Sequence, residues 1–524
     1  MIKSIIAGAR GLSTAAAAGL AFAALTGAVP AHAEWLKAES ERFIVYSEGS
    51  EGSEASLRRY VQHLDTYDRI LHISLSNSMG EPPPRKLPIY LVGSRAGLVT
   101  VRPDLGPNIV GYYLTDEEDI FAMVIRDSDD DTLLHEYAHH FMFQNAAYPY
   151  PGWFVEGFAE YYATAEFKSD RVLVGQYNEN RASWLQGGTW LDMRHLLSNR
   201  PGGRARGSET YYPLAWLLTH WFWGNAERQV QLNAYLVDVG AGTDPVEAMQ
   251  KATGLDPVGL RRALRRYMSG GIPYKAVVMN FPEAPVTITH LPRSADALLV
   301  LGQRVKVMDP EDDDAARVLA TVRERAARFP DDDLATLVLA HAEMKLGDLA
   351  AGQALATKLL EREPANVEAL QLLATAAIKT ARDADAPDAG DRAMGQARAF
   401  LGRAFRADEG NFRTYMLLTD ARRGMPNYPN DNDMATLRFA YTLAPQLSDT
   451  VLQLASALIY KGDKDEALSL LRPLANDPHG GGAASAAQSM INQIKGVSDA
   501  DQAAEDDAPA EPEDADTAGD AQGS

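Results

Sequence analysis

The order of apolar and polar residues divides the chain into a mixed front and a helical back. Over Ser53 to about Leu75, side chains such as Leu57, Tyr60, Val61, Leu64 and Ile70 recur at helical spacing, which predicts an amphipathic helix. The short apolar runs RFIVY (from Arg42), LPIYLV (from Leu87) and IFAMVI (from Ile120) predict strands. Pro82-Pro83-Pro84 is a break between them. From Asp131 the pattern turns helical, with Asp130 or Asp131 as the expected N-cap. A helix is expected to run through Gly157 to Phe167, and an aromatic-rich one over Tyr211 to Phe222. The segment from Pro257 or Val258 to Met268 is amphipathic and basic, with Arg261, Arg262, Arg265 and Arg266 on a solvated face.

Residues 293–495 read differently. They are rich in Ala and Leu, with helix pairs and short turns. Pro330 and Pro364 lie 34 residues apart, the tetratricopeptide period, and Leu339, Ala340 and Gly347 fall at that repeat's usual offsets. Leu454, Ala455, Gly462, Ala467 and Leu471 repeat the pattern, while Arg382 to Gly390 breaks it as an insertion. About five helix pairs are expected. The fold class is therefore an α+β N-terminal domain followed by an all-α tetratricopeptide-type solenoid. The expected divisions are a signal peptide over 1–33, the mixed N-terminal domain over 34–275, a linker over 276–292, repeats over 293–495 and an acidic disordered tail over 496–524.

Composition narrows this picture. The net charge of the 524 residues is −21, which argues against nucleic acid as a partner. Part of that charge is a tail, Ser498 to Ser524, with ten Asp and Glu and no Lys or Arg. Cysteine is absent, so thiolate metal sites, disulfides and cysteine nucleophiles are excluded. Lys3 and Arg10, the apolar run after them and Ala31-His32-Ala33 fit a secretory signal cleaved after Ala33. No later stretch is long and apolar enough to cross a bilayer. The expected location is the bacterial periplasm or beyond, with no stable membrane insertion after cleavage.

The candidate chemistry lies between Asp131 and Glu166. His135 and His139 stand one helical turn apart and Glu136 sits beside the first, the His-Glu-x-x-His arrangement that binds zinc. A catalytic zinc takes three protein ligands and a water. Glu156, past the turn marked by Pro149, Pro151 and Gly152, is the candidate third ligand. Glu160, four residues on, shares its face and can hold an imidazole from behind the metal. Such a site would drive hydrolysis of a peptide bond, with Glu136 as general base. A further donor is needed for the oxyanion, and Tyr211 or Tyr212 can supply a phenol. His140 and His220 read as packing histidines.

The residues His135-Glu136-Tyr137-Ala138-His139 and Gly152-Trp153-Phe154-Val155-Glu156-Gly157-Phe158-Ala159-Glu160-Tyr161 resemble the gluzincin metallopeptidases, most closely the bacterial peptidase MA-like family. Trp35 to Ser47 and the fusion to tetratricopeptide repeats are similar as well. The resemblance implies a zincin-like domain in which His135, His139 and Glu156 bind Zn2+ and Glu136 is catalytic. It favours Tyr211 over Tyr212, because Tyr211 stands four residues before Ala215. The aminopeptidases' Gly-x-Met-Glu-Asn motif has no equivalent before Asp131, which points to an endopeptidase, and the strand over Ile120–Ile125 is expected to take an extended peptide by strand addition. The function expected is an exported zinc metallopeptidase acting on a peptide or protein substrate, its repeats recruiting substrate or a protein partner. The alternative is a periplasmic tetratricopeptide scaffold with a structural or inactive metal site.

Overall fold

A computed structural model of the chain describes residues 34–49, 53–76, 82–126, 131–145, 148–176, 179–198, 205–278 and 283–496. The expected signal peptide, residues 127–130 and the tail beyond Gly496 lie outside the described residues. The front half opens with β1 (Glu34–Glu39), β2 (Phe43–Gly49), α1 (Ser53–Ser76), β3 (Leu87–Val92), α2 (Arg95–Val101), β4 (Gly111–Thr115) and β5 (Ile120–Ile125). Then come α3 (Asp131–Asn145), α4 (Gly152–Ala163), β6 (Glu166–Phe167) and β7 (Arg171–Val174). Six helices follow: α5 (Glu179–Gly187), α6 (Met193–Ser198), α7 (Tyr211–Trp223), α8 (Ala226–Gly240), α9 (Pro245–Thr253) and α10 (Pro257–Ser269). Strands β8 (Lys275–Val278) and β9 (Thr287–His290) close this half.

Strands with one apolar face assemble a six-stranded sheet in the order β4-β5-β3-β2-β1-β9. β2, β3 and β5 run parallel, while β4, β1 and β9 are antiparallel to their neighbours. Phe43 and Val45 of β2, Ile89 and Leu91 of β3 and Ala122 and Val124 of β5 point to one face, as period-two alternation requires. That face packs on Val61, Leu64 and Ile70 of α1 and on Leu134 and Phe141 of α3. Trp35, Tyr90, Phe121 and Met123 point to the other face and meet Leu98 and Val101 of α2.

Three expectations change here. The segment 276–292 is no plain linker, because β9 pairs with β1 and β8 pairs with β7 in a small second sheet. The helix expected to reach Phe167 ends at Ala163, and Glu166 and Phe167 pair with β7 instead. The strand over Ile120–Ile125 is an interior one, paired on both sides, so its backbone offers no edge for a bound peptide; the edge falls to β4.

The back half contains eleven helices, α11 (Ser294–Val307), α12 (Ala315–Ala326), α13 (Asp333–Leu346), α14 (Leu349–Arg362), α15 (Val367–Arg382), α16 (Pro387–Ala407), α17 (Phe412–Arg422), α18 (Asp431–Leu443), α19 (Ser448–Lys461), α20 (Lys464–Asn476) and α21 (Gly481–Lys495). They form five successive pairs and a closing helix. Side chains start several of them: Asp332, Asp348 and Asn366 accept from the exposed N–H groups of α13, α14 and α15, and Asn430 forms a capping box with Asp433. The expected insertion over Arg382 to Gly390 is no separate loop. Residues 383–386 make a short turn and Pro387 opens α16, a helix of 21 residues that takes up the extra length.

The two halves are packed together. Ala295 of α11 joins the core on the outer sheet face, and Phe412, Met416, Leu443 and Leu447 join the core of the front half. Between these contacts the β4–β5 turn pushes acidic residues against the repeats. Glu118 meets His341 at 2.7 Å and Arg413 at 3.3 Å, and Asp119 meets Lys306 at 3.6 Å.

Candidate metal centre

Burial fixes the two helices that carry the motif. On α3, Leu133, Leu134, Phe141 and Met142 are buried, and Tyr137 donates to Asp68 Oδ1 of α1 at 2.6 Å. Tyr67 of α1 donates to the Leu134 carbonyl at 3.0 Å. Helix α4 is buried from Trp153 through Ala163. It lies so close to α7 that a Cβ on Gly157 would stand 2.4 Å from the Ala215 carbonyl oxygen. Glycine after Glu156 is therefore needed for close approach of two helices.

The crossing of α3 and α4 brings His135, His139 and Glu156 together, with their candidate donor atoms within 4.8 Å of one another. The two Nε2 atoms are 3.0 Å apart. Glu156 Oε2 lies 3.6 Å from His135 Nε2 and 3.4 Å from His139 Nε2. Tetrahedral ligands at about 2.0–2.1 Å from zinc stand about 3.3–3.4 Å from one another, so the three separations bracket what a zinc ion would set. Glu156 is fully buried, its oxygens make no in-line hydrogen bond to a described residue, and the imidazoles of His135, His139 and His479 are its polar neighbours. A buried carboxylate needs a positive charge beside it, which a metal ion or a protonated imidazole supplies. The residues fit the metal that the motif implies.

The surrounding groups extend the site. Glu160 Oε1 lies 3.5 Å from His135 Nδ1. Arg181, on α5, grips Glu160 with two nitrogens, Nε to Oε2 at 2.7 Å and Nη2 to Oε1. Glu136 borders the same group, its carboxyl pushed up by burial and drawn back by His139 and His479. Burial, and then His139, push the His135 imidazole down to about 3. Burial pulls His139 down too, but Glu156 outweighs it and the net shift is upward. Burial pushes Glu156 up, yet His139 and His479 hold it well below the usual carboxylate range.

The tyrosines divide. Tyr211 is 2% exposed and sits in the core cluster of the front half. Tyr212 feels the charges of Glu156, Glu160 and Glu136, and the Arg181 guanidinium lies 5.6 Å over its ring. Tyr212 is only partly buried, whereas Tyr211 is enclosed. His140 is a packing residue, 2.9 Å from Tyr113 Oη through Nδ1, and His220 is held between Tyr267 and the Gly175 carbonyl.

Two residues of the site escape a reading by motif. Arg181 lies on a short helix with no marked pattern. His479 comes from the turn between α20 and α21, and its Nε2 lies 2.7 Å from Glu156 Oε1. The Glu156 carboxylate raises this imidazole to about 9 against the effect of burial. A lone histidine before three glycines was the one local sign.

No family model and no curated protein matches the chain. Among solved structures it is similar to TTC0263, a thermophilic TPR protein of Thermus thermophilus, at 21% identity over 34% of this chain and 90% of that one, with a TM-score of 0.30. It is also similar to MamA AMB-1, at 18% identity over 33% of this chain and 95% of that one, with a TM-score of 0.23. Likeness at this level adds nothing to the helix pairs already described. No helix among the described residues is long and apolar enough to cross a membrane.

Proposed function

We propose that this protein is an exported zinc metallopeptidase that cuts within peptide chains, with His135, His139 and Glu156 as ligands and Glu136 as general base. One observation carries the reading: two imidazole nitrogens and a buried carboxylate oxygen stand at the spacing of a tetrahedral cation site. The quoted likeness of both motifs to gluzincins supports the same residues. The signal-like start supports export to the periplasm or beyond.

When bound, zinc supplies a Lewis acid for a substrate carbonyl and lowers the pKa of water. Glu136, raised by burial, takes a proton from the attacking water and returns it to the leaving amine. Glu160, gripped by Arg181, sits behind His135 and fixes which imidazole nitrogen faces the ligand group. Tyr212, which burial keeps protonated, donates to the developing oxyanion.

The test is the metal content of the purified full chain beside Glu156→Ala, with hydrolysis of casein and of peptide libraries. We expect about one zinc per chain in the wild type, lost in the variant together with cleavage. Wild-type protein that holds no metal above background overturns the proposal.

A second reading gives the work to the repeats and leaves the metal structural. It is favoured by an open cleft of about 490 Å³ lined by Arg423, Tyr428, Leu452, Gln453 and Tyr460, with Tyr460 76% exposed. Under that reading zinc is present, cleavage is absent, and capture of a protein partner is lost in Tyr460→Ala.

A further inference from the structure

The three candidate ligands come from α3 and α4, but a fourth polar side chain reaches them from the far end of the repeats. His479 Nε2 stands 2.7 Å from Glu156 Oε1, and its ring packs edge-on against His139 with centroids 5.2 Å apart. The two oxygens of Glu156 thus face different ways: Oε2 toward the imidazoles of α3, Oε1 toward His479. The contact at Oε1 is at hydrogen-bonding distance, with the imidazole tilted off the in-line direction.

The turn that carries His479 is docked against the site. Asn476 Nδ2 donates to the Pro149 carbonyl at 3.2 Å, in the segment that leads into α4. Pro473, Asn476 and Asp477 line one small cavity together with Met142, Tyr150 and Val155. The His479 N–H donates to Asp477 Oδ1 at 2.8 Å and shapes the turn. The last repeat therefore lies over the ends of both helices that carry the ligand candidates.

We propose that His479 is a positioning residue for the metal: it holds the outer oxygen of Glu156 so that the inner one faces His135 and His139, and it makes metal retention depend on the docked last repeat. This rests on the reading of His135, His139 and Glu156 as metal ligands. A carboxylate ligand whose second oxygen is held keeps one orientation, and loss of such an outer partner typically weakens metal binding about 10- to 100-fold. On this basis the repeats are part of the metal centre, and the front half alone is an incomplete site.

The experiment uses the full chain and zinc alone, with affinity read by competition against a chromophoric chelator. Visible absorption of the cobalt-substituted protein reports the ligand geometry. His479→Ala is expected to lose about 10- to 100-fold in zinc affinity with an altered cobalt spectrum, and His479→Gln, which keeps a donor, to recover part of the loss. Far-UV circular dichroism is expected to be unchanged in both. An affinity for His479→Ala within about twofold of wild type overturns the inference and leaves the metal site standing, since outer partners are worth more than that. Equal loss in the Ala and Gln variants overturns it as well. Wild-type protein that binds no zinc overturns both this inference and the reading beneath it.

Discussion

Two buried clusters of histidine and carboxylate lie between the halves of this molecule, and they are built on opposite charge plans. Around His341, three carboxylates (Glu118, Asp119 and Glu368) face four permanent cations, Arg85, Lys306, Lys345 and Arg413. The charge of that cluster is balanced by its own side chains. Around His135 and His139, three carboxylates (Glu136, Glu156 and Glu160) have, among the described residues, one permanent cation, Arg181, which is spent on Glu160. Among the described residues, His479 adds to it when protonated. The first cluster joins two halves of a protein, whereas the second is short of positive charge where two imidazoles and a carboxylate converge. A histidine beside a glutamate is therefore no sign of a metal; the missing counter-charge is.

The comparison breaks most sharply at Glu136. Glu136→Gln removes the proton acceptor and leaves the three ligand side chains in place. The expected result is a fall in kcat of about 10²- to 10⁴-fold, the usual contribution of a general base. Zinc content should stay at the wild-type level. Cleavage that survives the substitution would show that Glu136 is no base, and a loss of metal would show that it serves the site in another way.

The matching change in the other cluster is Glu118→Gln. It takes the Glu118 carboxylate from Arg413 and His341, 6% and 3% exposed, and leaves His341 with Glu368 alone. Removing one partner of a buried ion pair costs about 3–5 kcal/mol. The full chain should lose stability to denaturant by roughly 3 kcal/mol, at the low end because Glu118 is partly exposed. Zinc affinity should be unchanged. Loss of metal without loss of stability would reverse the roles given to the two clusters.

The sequence exposed these two regions unequally, for physical reasons. His135, Glu136, His139, Glu156 and Glu160 are legible because each short group shares a helix face, and helical spacing can be read from a line of letters. The long α1 is legible for the same reason. Strand β9 was missed because its four residues, Thr287–His290, have no buried face of their own and are ordered by pairing with β1, some 250 residues upstream. The cluster at His341 joins a turn to α11, α13, α15 and α17, and no local pattern marks a contact of that range. His479 is hidden in the same way.

The smallest expected effect separates the clusters by pH. Burial pushes the His341 imidazole down, but Glu118 and then Glu368 raise it further, and the net shift is upward from 6.5. A histidine whose folded pKa exceeds its unfolded one stabilises the fold fully below the unfolded value and loses that contribution as pH rises through the folded value. Stability should therefore decline above about pH 6.5, by at most about 1.4 kcal/mol per pH unit for one proton. Glu118 and Glu368 are held below their ordinary range by His341 and by Lys306, Lys345 and Arg413, against burial. Their contributions are lost only in acid, outside this window. His341→Gln keeps the size and removes the proton, so denaturant midpoints measured between about pH 6 and 9 on zinc-saturated protein should flatten in the variant. A slope that persists unchanged would assign the titration to another group and leave His341 neutral between its two carboxylates.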